Sequence, residues 1–229
     1  MGTTSETKPK RYISVGLLAH VDSGKTTLSE GILYLTGQIR KPGRVDHGDA
    51  FLDNYALERQ RGITIFSKQA VFQLGDSQVT LLDTPGHVDF SAEMERTIQV
   101  LDAAILVVSG ADGVQGHTRT VWRLLKRHHV PVFLFINKMD QPGTDREALL
   151  AEVKEKLDAN CVEFSADQTD EEWKEQVAVC DEQVMEAYLE GEEISREQIR
   201  QMIRERKLFP CYFGSALKMT GVEEFLDDL

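Results

Sequence analysis

Long apolar runs are missing from this chain of 229 residues, and no stretch approaches the ~20 residues that a bilayer-spanning helix needs. The segment from Met1 to Arg11 is polar and has no apolar signal core. Gly2 invites comparison with a myristoylation site, but that pattern asks for Ser or Thr at the sixth position, where Glu6 stands. Cysteine is scarce. Cys161, Cys180 and Cys211 are odd in number and form no Cys-x-x-Cys pair, which argues against a disulfide framework and reads as three reduced thiols. Positive charge is in deficit, with 26 Lys and Arg against 38 Asp and Glu, a net charge of −12. That balance disfavours broad wrapping around nucleic acid, DNA included, because phosphates need a positive surface; a local RNA contact stays compatible with it. These features lead us to expect a cytoplasmic monomer with no membrane attachment.

What is present is an alternation of strand and helix signals, the pattern of a parallel sheet covered by helices. Strands are expected at Tyr12–Ala19, Ile63–Leu74, Gln78–Leu82, Ala103–Ser109, Val132–Ile136 and Phe209–Phe213, with a turn at Gly75-Asp76. Helices are expected at Lys25–Leu35 and from about Thr118 to His128. Arg40 to Gly62, rich in glycine, proline and charge, predicts a long loop. From about 159 to 207 the β pattern fades and charge is dense. Thr169-Asp170-Glu171-Glu172 reads there as a capping box before Trp173, Val177, Cys180, Val184 and Tyr188 at helical spacing. Ser195-Arg196-Glu197-Gln198 reads as a second box before Ile199, Met202 and Ile203. This predicts a helical insertion before the last strand, with Trp173 as a core anchor. Val222, Phe225, Leu226 and Leu229 share a helical face that is still running at the last residue, so we expect a piece of something longer.

Five short segments carry chemistry. Ala19-His20-Val21-Asp22-Ser23-Gly24-Lys25-Thr26 follows a strand and opens a helix, as a phosphate loop requires. Backbone N–H groups and the helix dipole there favour an anion. Lys25 suits β- and γ-phosphates, and the Thr26 hydroxyl is a hard oxygen ligand for Mg²⁺. The loop departs from the usual pattern only in having Ala19 where Gly is common. Asp83-Thr84-Pro85-Gly86-His87 ends a strand; Asp83 suits Mg²⁺ through water, and Gly86 lets its N–H approach a γ-phosphate. Asn137-Lys138-Met139-Asp140 selects the base. A carboxylate accepts from N1–H and the 2-amino group of guanine, and adenine offers neither. The Lys138 stem suits the base face. Gly214-Ser215-Ala216 follows the last strand and offers a backbone N–H to guanine O6. Thr64, in Arg61-Gly62-Ile63-Thr64-Ile65, is the remaining segment.

Ala19 to Thr27, Arg61 to Ile65 and Asp83 to Phe90 resemble the motifs of translational GTPases of the elongation-factor-G branch. Leu57 to Thr64, and Phe209-Pro210 shortly before Gly214-Ser215-Ala216, are more similar to the tetracycline-resistance ribosomal protection proteins, as is the short helical insertion. The resemblance runs from Arg11 to Leu229. It implies an α/β P-loop GTPase fold with a mostly parallel six-stranded sheet, one antiparallel strand and helices on both faces. It divides the chain into a disordered tail, 1–10, and a GTP-binding domain, 11–229, and implies further domains that are absent here. The resemblance implies GTP or GDP with Mg²⁺, held by Ala19, His20, Val21, Asp22, Ser23, Gly24, Lys25, Thr26, Thr27, Gly86, Asn137, Lys138, Asp140, Ser215 and Ala216. The metal falls to Thr26, Thr64 and Asp83. His87 is the catalytic residue that positions the attacking water, restrained by Val21 and Ile63, and Asp22 helps to bind a monovalent cation. The partner implied is the ribosome, through a local RNA contact near His87.

His20 reads as structural rather than catalytic, and His47, His117, His128 and His129 receive no role. Glu190, Glu192 and Glu193 form a solvated face. Two functions stay open at this stage: a ribosome-stimulated GTPase, and a GTP-dependent switch module with negligible turnover in isolation. An ATP-dependent enzyme is disfavoured by Asp140.

Overall fold

Near-continuous apolar runs become the middle strands of one sheet, because a strand covered on both faces has no solvated side on which to carry polar residues. In the computed structural model of this protein the described residues are 11–41, 43, 68–84, 91–164 and 170–229. Their elements are β1 (Arg11–Ala19), α1 (Lys25–Leu35), β2 (Lys68–Leu74), β3 (Ser77–Asp83), α2 (Ser91–Ile98), β4 (Ala103–Ser109), α3 (Gly116–Arg127), β5 (Val132–Asn137), α4 (Arg146–Lys156), β6 (Cys161–Glu163), α5 (Glu171–Ala178), α6 (Glu182–Leu189), α7 (Arg196–Arg204), β7 (Phe209–Phe213) and α8 (Val222–Asp228).

The sheet has the order β2-β3-β1-β4-β5-β7-β6. Only β2 runs antiparallel, paired with β3 across the Gly75-Asp76 turn; every other pairing is parallel. The expected six strands are thus joined by a seventh, β6, whose three residues are too few to leave a pattern. Alternate residues of the strands feed two cores. Leu17, Ile105 and Phe135 face α1, α8 and the α5–α7 group, whereas Leu18, Leu106 and Leu134 face α2, α3 and α4. Helices therefore cover both faces.

Within 170–204 the helical spacing holds, but not as one rod. Asp170 caps α5 by accepting from Glu172 N at 3.4 Å. Thr169 lies outside the described residues. The helix stops at Ala178, and Asp181 then caps α6, accepting from Gln183 N and Val184 N at 2.9 and 3.1 Å. The Ser195 box forms in both halves. Trp173 is the expected core anchor: its Nε1 donates to Glu163 O at 2.8 Å, and its ring meets Phe164 edge-on at 5.2 Å. No helix among the described residues is long and apolar enough to cross a membrane.

Candidate functional site

The parallel strands all release their chain at one rim, and the registers fix which residues meet there. Leu17 stands beside Asp83, Ala19 beside Val107, Ser109 beside Asn137, and Ile136 beside Phe213. The loops after β1, β3, β5 and β7 therefore share one edge, where ligands of open α/β sheets bind. Those are the loops bearing Ala19–Thr27, Asp83, Asn137–Asp140 and Ser215–Ala216.

The loop after β1 turns through left-handed backbone at Asp22 (φ 61°) and Gly24 (φ 89°) before α1 begins. Such turns aim successive N–H groups into one concavity. Among the described residues no side chain caps the start of α1, and no acid lies in its first turn. Helix N-terminal donors without such a cap suit an anion. Lys25 is buried at 8% exposure beside Asp83 at 0%, and the Lys25 Nζ donates to Asp83 Oδ1. The residues expected to hold phosphate and Mg²⁺ thus face one another. The Thr84 hydroxyl donates to Leu17 O at 2.8 Å and locks the end of β3 against β1.

One side chain joins three loops. Asn137, 3% exposed, donates from Nδ2 to Ser23 O at 2.9 Å and accepts at Oδ1 from Ala216 N at 2.8 Å. A Cβ on Gly24 would overlap the Asn137 amide nitrogen, so glycine is required there by space as well as by φ. Lys138 has φ 64°, a conformation costing a non-glycine residue about 1–2 kcal/mol. Local strain of this kind concentrates at functional sites. Met139 N donates to Gly214 O at 3.0 Å, and Ser215 and Thr220 exchange two backbone hydrogen bonds at 3.0 Å. Gly221, with φ 73°, closes that loop where a Cβ would meet Phe213 O.

Asp140 follows on the rim. The Ser215 hydroxyl, and then the Lys218 ammonium 3.6 Å away, hold its carboxyl below the ordinary 3.8. An acceptor kept ionised suits N–H donors of a base. Lys218 and Thr84 are the parts that sequence reasoning missed. Lys218 lies only three residues past Ser215, a spacing that could have found it. His20 is half-buried, its ring 5.9 Å from that of His117. Ala19 and Ser23 are buried, Val21, Thr26 and Thr27 half-buried. Ile63, Thr64, Gly86 and His87 lie outside the described residues.

The cradle fits a Mg²⁺-nucleotide: uncapped helix N–H donors, a buried ammonium, a buried carboxylate, a half-buried hydroxyl, and a glycine where a methyl would not fit.

Comparison with known proteins agrees in extent. Residues 10–229 match the family described as Elongation factor Tu GTP binding domain. A tetracycline resistance protein TetW from Butyrivibrio fibrisolvens is 41% identical over 231 residues, covering 95% of this chain and 36% of that protein. TetM from transposon Tn916 of Enterococcus faecalis is 38% identical with the same coverage, 95% and 36%. A solved protein from Thermus thermophilus superposes with a TM-score of 0.82 at 27% identity, covering 95% of this chain and 40% of that one. The chain spans 36% of the length of these curated relatives.

Proposed function

The chain belongs to the family of the elongation factor Tu GTP-binding domain, and we propose that its rim binds Mg²⁺-GTP and hydrolyses it as the GTPase domain of a ribosome-acting translation factor. The parent protein would be of the elongation-factor-G or ribosomal-protection type. The observation that carries this reading is the Asn137 bridge, which ties the phosphate loop to the guanine loops through Ser23 and Ala216.

In this reading the N–H groups from Asp22 to Thr27 and the Lys25 ammonium receive the phosphates. The Thr26 hydroxyl and the Asp83 carboxylate, the latter through water, would hold Mg²⁺, which would supply charge neutralisation at the reacting phosphoryl group. Lys25 and Asp83, paired with each other at the rim, would then face the phosphates and the metal respectively. Asp140, kept ionised by Ser215 and Lys218, accepts from the guanine edge. The Ala216 amide and the Lys138 stem complete the base site. By their motifs, Thr64 joins the metal, Gly86 donates to the γ-phosphate and His87 orients the water. Asp22 aids a monovalent cation. Phosphoryl transfer asks chiefly for such positioning. Cytoplasmic location and a monomeric state belong to the same proposal.

Calorimetry with GDP and ATP in Mg²⁺ tests the base site, and tighter binding of ATP would reject it. Phosphate release with and without ribosomes, measured on a version extended through the region its relatives possess, tests the reaction. No stimulation would leave only a nucleotide-operated switch.

A further inference from the structure

Helix α3 is the most basic of the described helices in an acidic protein. From Gly116 to Arg127 it contains no Asp or Glu, while the whole chain carries −12. Its buried side, with Val121, Trp122 and Leu125, packs on the sheet. Its exposed side presents Arg119, Arg123, Lys126 and Arg127. At helical spacing these four occupy a sector of about 100°, and Arg119 to Arg123 to Arg127 climb in steps of about 6 Å.

Their charge is scarcely neutralised. Glu95 of α2 lies 3.5 Å from Arg127 and 3.7 Å from His128. Before the helix, Glu152 of α4 accepts from Val114 N and is already paired with Lys156. Arg119, Arg123 and Lys126 have no ion pair among the described residues. The exposed side has no large apolar residue: the exposed large hydrophobics lie on other elements. Protein interfaces draw much of their energy from a few desolvated anchors, aromatic ones prominent among them, and this face carries none, whereas a phosphate backbone is held by fixed cations, best supplied by guanidinium forks.

We infer that the exposed face of α3 is an RNA-binding surface that takes backbone phosphates through Arg119, Arg123, Lys126 and Arg127. It lies on a helix face rather than in the nucleotide rim, and it stands or falls independently of the GTP reading.

The test is fluorescence anisotropy of the 229-residue chain with a labelled RNA hairpin, in nucleotide-free buffer, at about 50 and about 200 mM KCl. The R119A/R123A/K126A variant should bind at least tenfold more weakly at the lower salt, and its affinity should depend less steeply on salt. GDP affinity by calorimetry and far-UV circular dichroism should be unchanged, which separates this surface from the nucleotide site and from misfolding. R200A/R204A, on the exposed side of α7, should bind RNA within twofold of the parent chain, as a control for general charge. The single variant R123E should reproduce most of the loss. The inference is overturned if the parent chain does not bind the hairpin, or if the triple variant binds within twofold. It is also overturned if the α7 variant loses as much, or if a polyglutamate peptide binds the α3 face more tightly than the RNA does.

Discussion

Asn137 and Gly24 should behave as one unit, and a double-mutant cycle gives that a number. Asn137→Ala removes the donor to Ser23 O and the acceptor of Ala216 N–H. Both bonds are buried, so the abandoned groups cost about 1–3 kcal/mol each, about 2–6 together. Gly24→Ala costs about 1–2 kcal/mol for its left-handed backbone. Its methyl also claims the space of the Asn137 amide, so the same two bonds are lost and its total becomes about 3–8 kcal/mol. Independent effects would make the double variant about 5–14 kcal/mol less stable, enough to unfold a domain of ordinary stability of about 5–15. Because the two variants remove the same bonds, the double variant should instead lose only about 3–8 kcal/mol and stay near Gly24→Ala alone. Urea unfolding of the nucleotide-free chains, followed by far-UV circular dichroism, measures all three. GDP calorimetry should report at least a tenfold loss for each. Additivity within about 0.5 kcal/mol would refute the bridge as drawn.

Further outcomes follow from the same rim. Asp140→Asn should weaken GDP binding about a hundredfold or more, through two lost charge-assisted hydrogen bonds, and shift preference toward xanthosine diphosphate, whose 2-position accepts; calorimetry with both ligands decides. Binding needs ionised Asp140, whose folded value lies below 3.8, so affinity is retained above that lowered value and lost only as pH falls through it. Ser215→Ala removes the principal cause, and its GDP affinity should begin to fall at a higher pH than in the parent chain; coincident titrations would exclude that coupling. His87→Ala should keep nucleotide affinity and lose ribosome-stimulated phosphate release, and retained turnover would remove its assigned role. Burial pushes the Cys180 thiol up to about 12 and raises Cys161 as well, chiefly through its hydrogen bond with Cys211 and then by burial. Iodoacetamide at pH 8 should therefore label the native chain far more slowly than the urea-unfolded one, as mass spectrometry would report.

The parts of the fold legible in the sequence were those that leave a local mark. Ala103–Ser109 and Val132–Ile136 are apolar runs whose length and β-branching need no partner to be recognised, and both emerge as central strands, the second one residue longer. Phe209–Phe213 keeps its predicted bounds. Helix α4 buries only Leu149 and Val153 of eleven residues, which leaves almost no stripe to read, although the Asp145 cap was there to be noticed. The break between α5 and α6 was hidden because Val177, Cys180 and Val184 continue one period across it. What starts the second helix is the Asp181 cap, held from outside by Lys207 at 2.6 Å. A local pattern cannot report a tertiary ion pair.

The rim divides along the same line. The proposed roles of Lys25, Asp83 and Asp140 rest on chemistry that each residue's own motif displays. The work of Asn137 was not legible there, since its partners Ser23 and Ala216 lie 114 and 79 residues away. Local motifs specify what each loop offers a ligand; they do not specify that the loops stand together before one arrives. That second property rests on a buried amide with both ends satisfied, a glycine that leaves room for it, and strands ending in register. Pre-organisation of this kind removes an ordering cost from binding, so Asn137, whose amide joins Ser23 to Ala216, can govern affinity as strongly as the carboxylate proposed to read the base.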